Sequence, residues 1–293
     1  QTDHYSLTAL QQNADPSFNQ DASTGMKRQT CPKNREELFA YDVVILYDPA
    51  YDVMGLDAEF VNLLTDFVGK HHGGLCYICG YKNTANNLLD GGALSKVCQL
   101  LPVVLKRDRS AFAAEMAQPP RTPWALQLTS GGLDHPIMRL SESEEDNQRI
   151  WSMLPGVYRS YPIVRLKSLA SALAVHSDTA RQTVDQQPEP LIAVQYYGKG
   201  RCLFFSFDAT WRWRALQDAR HYQRFWANTL DFLSAGRLEK KRILITTGGD
   251  VFDAGAAVRL GVEAYKREFA PLGGKTFSVV ATHLESKQSP SYV

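Results

Sequence analysis

The sequence has little that would mark a specialised environment. Its apolar runs stop well short of the ~18 residues that a membrane-spanning helix needs, and no secretory signal pattern opens the chain. Neither sign of charge dominates. The formal net charge is +1 over 293 residues, which removes the electrostatic case for a nucleic acid or an acidic lipid surface as partner. Cysteine is scarce and odd in number (Cys31, Cys76, Cys79, Cys98 and Cys202), so no disulfide framework is expected. Three of the five lie in apolar runs, where a buried free thiol is the ordinary outcome. The glycine pairs Gly73-Gly74, Gly91-Gly92, Gly131-Gly132 and Gly248-Gly249 have neither phosphate-loop nor dinucleotide-loop spacing. No nucleotide cofactor is expected. No His/Cys/Asp cluster shows metal-ligand spacing either. The chain does not begin with Met, which fits a processed, tagged or excised piece of a longer protein.

What is present is an ordinary globular composition, 44% hydrophobic and 22% charged. Residues 1–35 are polar and read as irregular, apart from a possible strand over Tyr5–Leu10. Asn34 to Phe39 resembles a capped helical turn. Val43–Tyr47 is a β-branched apolar run that ends at Asp48-Pro49, as a strand buried on both faces would. Phe60, Leu63, Leu64, Phe67 and Val68 recur at helical spacing, and Leu75–Cys79 is a second buried strand. Residues 42–80 are therefore strand, helix, strand, a crossover that predicts a parallel sheet.

Further on the pattern is coarser. Leu94–Leu101 reads as helical and Pro102–Leu105 as a short strand. A long loop carries Pro119-Pro120, Pro123 and Gly131-Gly132. Ser141–Asp146 is acidic and solvated, and Ile150–Leu154 leads into a Pro155-Gly156 turn. Ala170–His176 reads as a strand. Leu191–Tyr197 and Arg201–Phe207, joined through Gly198-Lys199-Gly200, form a hairpin. Arg220–Leu233 is an amphipathic helix with Phe225, Leu230 and Leu233 inward. After Gly236 the helical period stops. Arg242–Thr246, Ala256–Val262 and Thr276–Thr282 then read as short strands of a separate β module.

Several segments occur in a telling order: GGLCYICG, the Leu-Pro-Val of 101–103, SGGLDHPIMRL (130–140) followed by IWSMLPGV, PLIAVQYYGKGRCLFFSFDATWRWR (190–214) and HYQRFWANTLDFL (221–233). Over roughly residues 36–240 the chain resembles the class I glutamine-amidotransferase-like domain of bacterial membrane-associated proteins that also carry von Willebrand factor A-type domains. The resemblance implies an α/β fold: a flavodoxin-like, mostly parallel sheet with helices on both faces. It divides the chain into an amidotransferase-like domain (1–238, with 1–35 irregular and truncated upstream) and a partial, Ig-like β-sandwich module (239–293). It also implies an opening strand that lies before residue 1 here, and a parent protein anchored on the periplasmic face of the bacterial envelope.

The chemistry can be tested by position. Class I amidotransferases place a nucleophilic Cys in a G-x-C-x-G turn beside oxyanion-holding N–H groups, with a His and a Glu from a later strand. Here Cys79 is the candidate nucleophile, but Tyr77 and Tyr81 stand where the two glycines belong. The His-Pro-Glu position reads Phe207-Asp208-Ala209. An Asp serves as a base near neutral pH only if its pKa is strongly raised. His221 is the one histidine that could rescue the missing base. His71 and His72 precede their strand, at the wrong end of such a sheet. Cys76 and Cys79, three apart on a strand, face opposite sides and so do not make a redox pair. Trp211, Arg212, Trp213 and Arg214 form a second candidate site, since Arg pairs with carboxylates and Trp stacks on sugars or peptides. Packed indoles around a structural Asp–Arg pair explain the same segment. The expectation is a non-catalytic amidotransferase-like module that binds a protein or small molecule, with no cofactor, no nucleic acid and no membrane contact of its own. The alternatives are a cysteine-dependent amidohydrolase using Cys79, and a carbohydrate-related module of similar fold.

Overall fold

The computed structural model describes residues 5–12, 28–88, 92, 94–107, 110, 121–215, 219–238, 243–247, 260–264, 279–280 and 291–292. The Pro119-Pro120 loop, Gly248-Gly249, Arg242 and most of the strands expected over 256–262 and 276–282 lie outside the described residues. The chain divides into two compact units, Gln1–Glu239 and Lys240–Val293.

In the first unit, the helical turn α1 (Arg35–Leu38) is capped by Asn34, whose side chain accepts the Glu37 N–H. Strand β1 (Val43–Tyr47) leads to helix α2 (Ala58–His71). Asp57 caps α2 by accepting the Phe60 N–H, and His72 ends it in the left-handed region at φ 60°. Strand β2 (Gly74–Ile78) and the short helix α3 (Thr84–Leu88) follow, then β3 (Val103–Leu105), β4 (Leu126–Leu128), α4 (Ser130–Asp134), α5 (Glu144–Met153) and β5 (Ile163–Leu166). Strands β6 (Ala170–His176), β7 (Pro190–Tyr197) and β8 (Gly200–Phe205) precede helix α6 (Arg220–Leu238).

Six strands form one sheet in the order β1-β2-β8-β7-β6-β4. The pairs β1/β2 and β2/β8 are parallel, while β8/β7, β7/β6 and β6/β4 are antiparallel. Strands β1, β2, β8 and β6 thus point one way and β7 and β4 the other, so the sheet is mostly parallel by direction. The parallel pairings sit together at one side. The hairpin made the sheet mixed: a tight β7–β8 turn can only join antiparallel neighbours. Gly198 allows that turn, with φ +57° and a position where a Cβ would stand 2.3 Å from the Gly69 carbonyl oxygen.

The two faces of β2 serve two cores. Leu75, Tyr77 and Cys79 join Phe60, Leu64 and Phe67 of α2 on one side. Cys76 and Ile78 join Ile150 and Trp151 of α5 and Phe225 and Leu233 of α6 on the other. Helices therefore cover both faces, and β2 is apolar throughout because both its sides are buried. Each fully buried side chain of this size contributes about 2–3 kcal/mol.

Several elements depart from the reading of the sequence. Residues 5–12 form no strand, only an isolated bridge at Thr8. Ser95–Gln99 is a 3-10 turn rather than an α-helix. Gly131-Gly132 lies within α4, whose start Thr129 caps, and the acidic stretch opens α5 behind a Ser143 cap. At α4 the capping hydroxyl outweighed the glycines, and at α5 the Ser143 cap and the acidic first turn both favour a helix start. Helix α6 runs past Leu233 to Leu238. Of its three expected inward residues, Phe225 and Leu233 are buried and Leu230 is half-buried.

In the second unit, β9 (Ile243–Thr247) pairs antiparallel with β10 (Leu260–Ala264), and β11 (Val279–Val280) with β12 (Ser291–Tyr292). No helix among the described residues is long and apolar enough to cross a membrane.

Candidate functional site

Ligand sites in open α/β sheets form beyond the carboxyl ends of parallel strands. Here β1, β2 and β8 end at Asp48, Cys79 and Ser206-Phe207-Asp208. A cavity of about 250 Å³ opens there, and Cys79, Arg159, Ser206, Asp208, Trp211 and Arg212 are among the residues that line it. Of the residues singled out from the sequence, Cys79, Asp208, Trp211 and Arg212 thus come together.

The other three do not line it. Trp213 is 1% exposed and packs against Trp151, Phe207 and Phe225, with its Nε1–H donated to the Pro155 carbonyl at 3.0 Å. It is a core residue, because the three-residue period of the 3-10 turn Ala209–Ala215 puts Thr210 and Trp213 on its buried face and Trp211 and Arg214 on its exposed one. Arg214 is exposed, with its guanidinium 5.9 Å from the Tyr222 ring centroid. His221 is buried near the start of α6, and burial followed by Arg220 and Arg224 lowers its pKa.

Cys79 is 2% exposed and free. Burial pushes its thiol well above the ordinary range, and the nearby Asp48, Cys98 and Asp208 push the same way, while a hydrogen bond with Thr84 opposes them. A thiol so placed stays neutral near pH 7, whereas the thiolate is the nucleophile. Among the described residues, no histidine is one of the groups that act on it.

The backbone around it is equally committed. Cys79 N–H donates to the Phe205 carbonyl at 2.9 Å, and Gly80 N–H donates to Thr84 Oγ1 at 3.0 Å. The next donors converge on Asp48, which is 7% exposed. Its carboxylate accepts the N–H groups of Lys82 (3.0 Å), Asn83 (3.1 Å) and Thr84 (2.8 Å) and the Thr84 hydroxyl (2.8 Å). Successive amides of this kind form an anion-holding nest, and the protein's own carboxylate fills it. Asp48 sits at φ 39°, a left-handed conformation that Asp tolerates better than most residues. Gly80 is required beside it, since a Cβ there would lie 2.4 Å from Asp48 Cβ. Nothing in the reading of the sequence marked Asp48 beyond the end of a strand. The available signal was its place, one residue past the carboxyl end of a parallel strand.

Asp208 is half-buried. Burial raises its pKa, and a hydrogen bond from the Tyr47 hydroxyl at 3.3 Å works against that rise. The Tyr47 phenol is itself pushed up to about 12, by burial and then by Asp208. Three rings stand exposed around this edge: Tyr47 (52%), Tyr81 (55%) and Trp211 (56%). Among the described residues no group of three or more His, Cys, Asp or Glu is placed to hold a metal ion.

No protein-family profile and no curated protein sequence matches the chain. Among solved structures it is similar to the Cytoplasmic Protein STM3548 from Salmonella typhimurium, at 18% identity and TM-score 0.46, over 70% of this chain and 76% of that one. The Cytoplasmic Protein STM1381 from Salmonella typhimurium LT2 matches at 18% identity and TM-score 0.41, over 69% and 76%. A beta-galactosidase from Rahnella sp. R3 matches at 15% identity and TM-score 0.35, over 78% of this chain and 28% of that one. Likenesses this distant assign nothing to the cavity, so its function is read from its own residues.

Proposed function

We propose that residues 1–238 form a non-catalytic, amidotransferase-like module that binds a ligand or partner at the carboxyl edge of its sheet, as part of a bacterial envelope protein. The parallel trio β1-β2-β8, with α2 and α6 on opposite faces, supports a flavodoxin-like core. Residues 239–293 would be its partial β-sandwich companion. The observation that carries the non-catalytic reading is Asp48. Its carboxylate occupies the amide nest that follows Cys79, leaving a developing oxyanion without those donors. The envelope setting rests on the sequence resemblance alone.

The test is ammonia release from glutamine, with thiol titration alongside. The native protein and Cys79→Ala are expected to give the same background, and Cys79 is expected to react with a disulfide reagent only after unfolding. Turnover that disappears in Cys79→Ala would overturn the reading in favour of an amidohydrolase. A carbohydrate-related role is the second reading. It is favoured by the exposed Trp211 indole at the cavity, because such a ring offers a stacking face to a sugar.

A further inference from the structure

The cavity beside Cys79 brings together two guanidinium groups and one carboxyl. The Nε atom of Arg159 is buried and has no hydrogen-bond partner among the described residues. Arg212 lies over two rings, 4.9 Å from the Tyr158 centroid and 4.6 Å from that of Trp211. A cation–π contact holds a guanidinium without using its N–H donors, which stay available to a ligand. Several other arginines of this unit are committed: Arg181 pairs with Glu189, Arg224 with Glu142 and Arg237 with Asp42. Arg159 and Arg212 have no carboxylate within ion-pair distance among the described residues. Asp208 is the acid in the lining, and the Tyr47 hydroxyl donates to it.

Building on the binding-module reading, we infer that this cavity binds a small organic carboxylate, whose oxygens Arg159 and Arg212 take while its body lies against the Trp211 indole. Planar forks match a planar carboxylate. A phosphate dianion is the poorer fit, because Asp208 stands in the same lining. At 250 Å³ the space equals about eight water volumes, the scale of an aromatic acid or a sugar acid.

The experiment is calorimetric titration of the full chain with benzoate and with glucuronate, using benzyl alcohol and glucose as neutral counterparts and inorganic phosphate as a competing anion. Saturable binding of a carboxylate is expected, about tenfold or more tighter than its neutral counterpart. Arg159→Gln and Arg212→Gln should each remove most of that preference. Arg212 is only half-buried, so its variant keeps the test intact should Arg159→Gln fail to fold. Saturation by one of the two acids supports the inference and tells an aromatic body from a sugar. Absence of saturation by both, equal affinity for phosphate, or binding unchanged in Arg212→Gln overturns it. The non-catalytic reading is judged separately by the glutamine assay, so the two can fail independently.

Discussion

His176 shows how burial of one side chain sets a pH window. Its Nδ1 accepts the Asp178 N–H at 3.0 Å, and the ring lies 4.7 Å from Trp124, 2% exposed. Burial, then Arg181, lowers its pKa from 6.5 to about 4, against the pull of Asp178. Between those values the unfolded chain binds a proton that the folded chain refuses. Stability therefore falls as pH drops from 6.5 toward 4, by at most about 3 kcal/mol. Urea unfolding of His176→Gln across that window should show a flatter pH dependence than the parent. An equally steep slope would assign the effect to other groups. The same physics holds the Cys79 thiol in its neutral form, since burial penalises the thiolate.

At the scale of elements, the short helix α3 depends on a residue far away in sequence. Its five residues would not hold on propensity. The Asp48 carboxylate gathers the donors at its start and ties them to the end of β1. Asp48→Ala is expected to lower stability by about 3 kcal/mol, because several buried donors lose their acceptor at once. Asp48→Asn should fall between, since it keeps one carbonyl oxygen and tolerates the left-handed backbone. Gly80→Ala should cost about 1–3 kcal/mol through overpacking against Asp48. Denaturant midpoints measure all three, and a neutral Asp48→Ala would refute the bracing role. This junction was not legible in the sequence. The strands on either side were, because period and apolar content are local. The pairing of Asp48 with residues 82–84 was not, because parallel neighbours meet only after a crossover.

For the whole first unit, Arg237 is the clasp between distant parts. It is 4% exposed at the end of α6, where it meets Asp42 at 3.2 Å, the His71 carbonyl at 3.1 Å and the Phe39 carbonyl at 2.6 Å. Its guanidinium also lies 5.2 Å from the Phe67 centroid. One side chain so joins the last helix to α1, α2 and the start of β1. Arg237→Ala should destabilise the unit by about 3 kcal/mol or more, and Arg237→Lys should recover only part, since an ammonium cannot fork between carbonyls. A thermal scan with no shift for Arg237→Ala would show the clasp to be incidental.

The sequence by itself determined what local pattern can carry. The crossover of 42–80, the β7–β8 hairpin and the amphipathic last helix follow from period, β-branching and glycine placement, which act within a few residues. It also placed Cys79 and Asp208 near strand ends. Tertiary structure alone decided what those residues face. It turned Trp213 into the core and left Trp211 and Arg212 at the cavity, a division that the alternating Trp and Arg of 211–214 do not encode. It brought Arg159 to the same rim and set Asp48 into the amides after Cys79. Contacts between residues 35 or more apart depend on strand order and register, which the packing of the whole sheet fixes. The crossover and the hairpin are thus properties of local pattern. The filled amide nest beside Cys79 is a property of the assembled sheet.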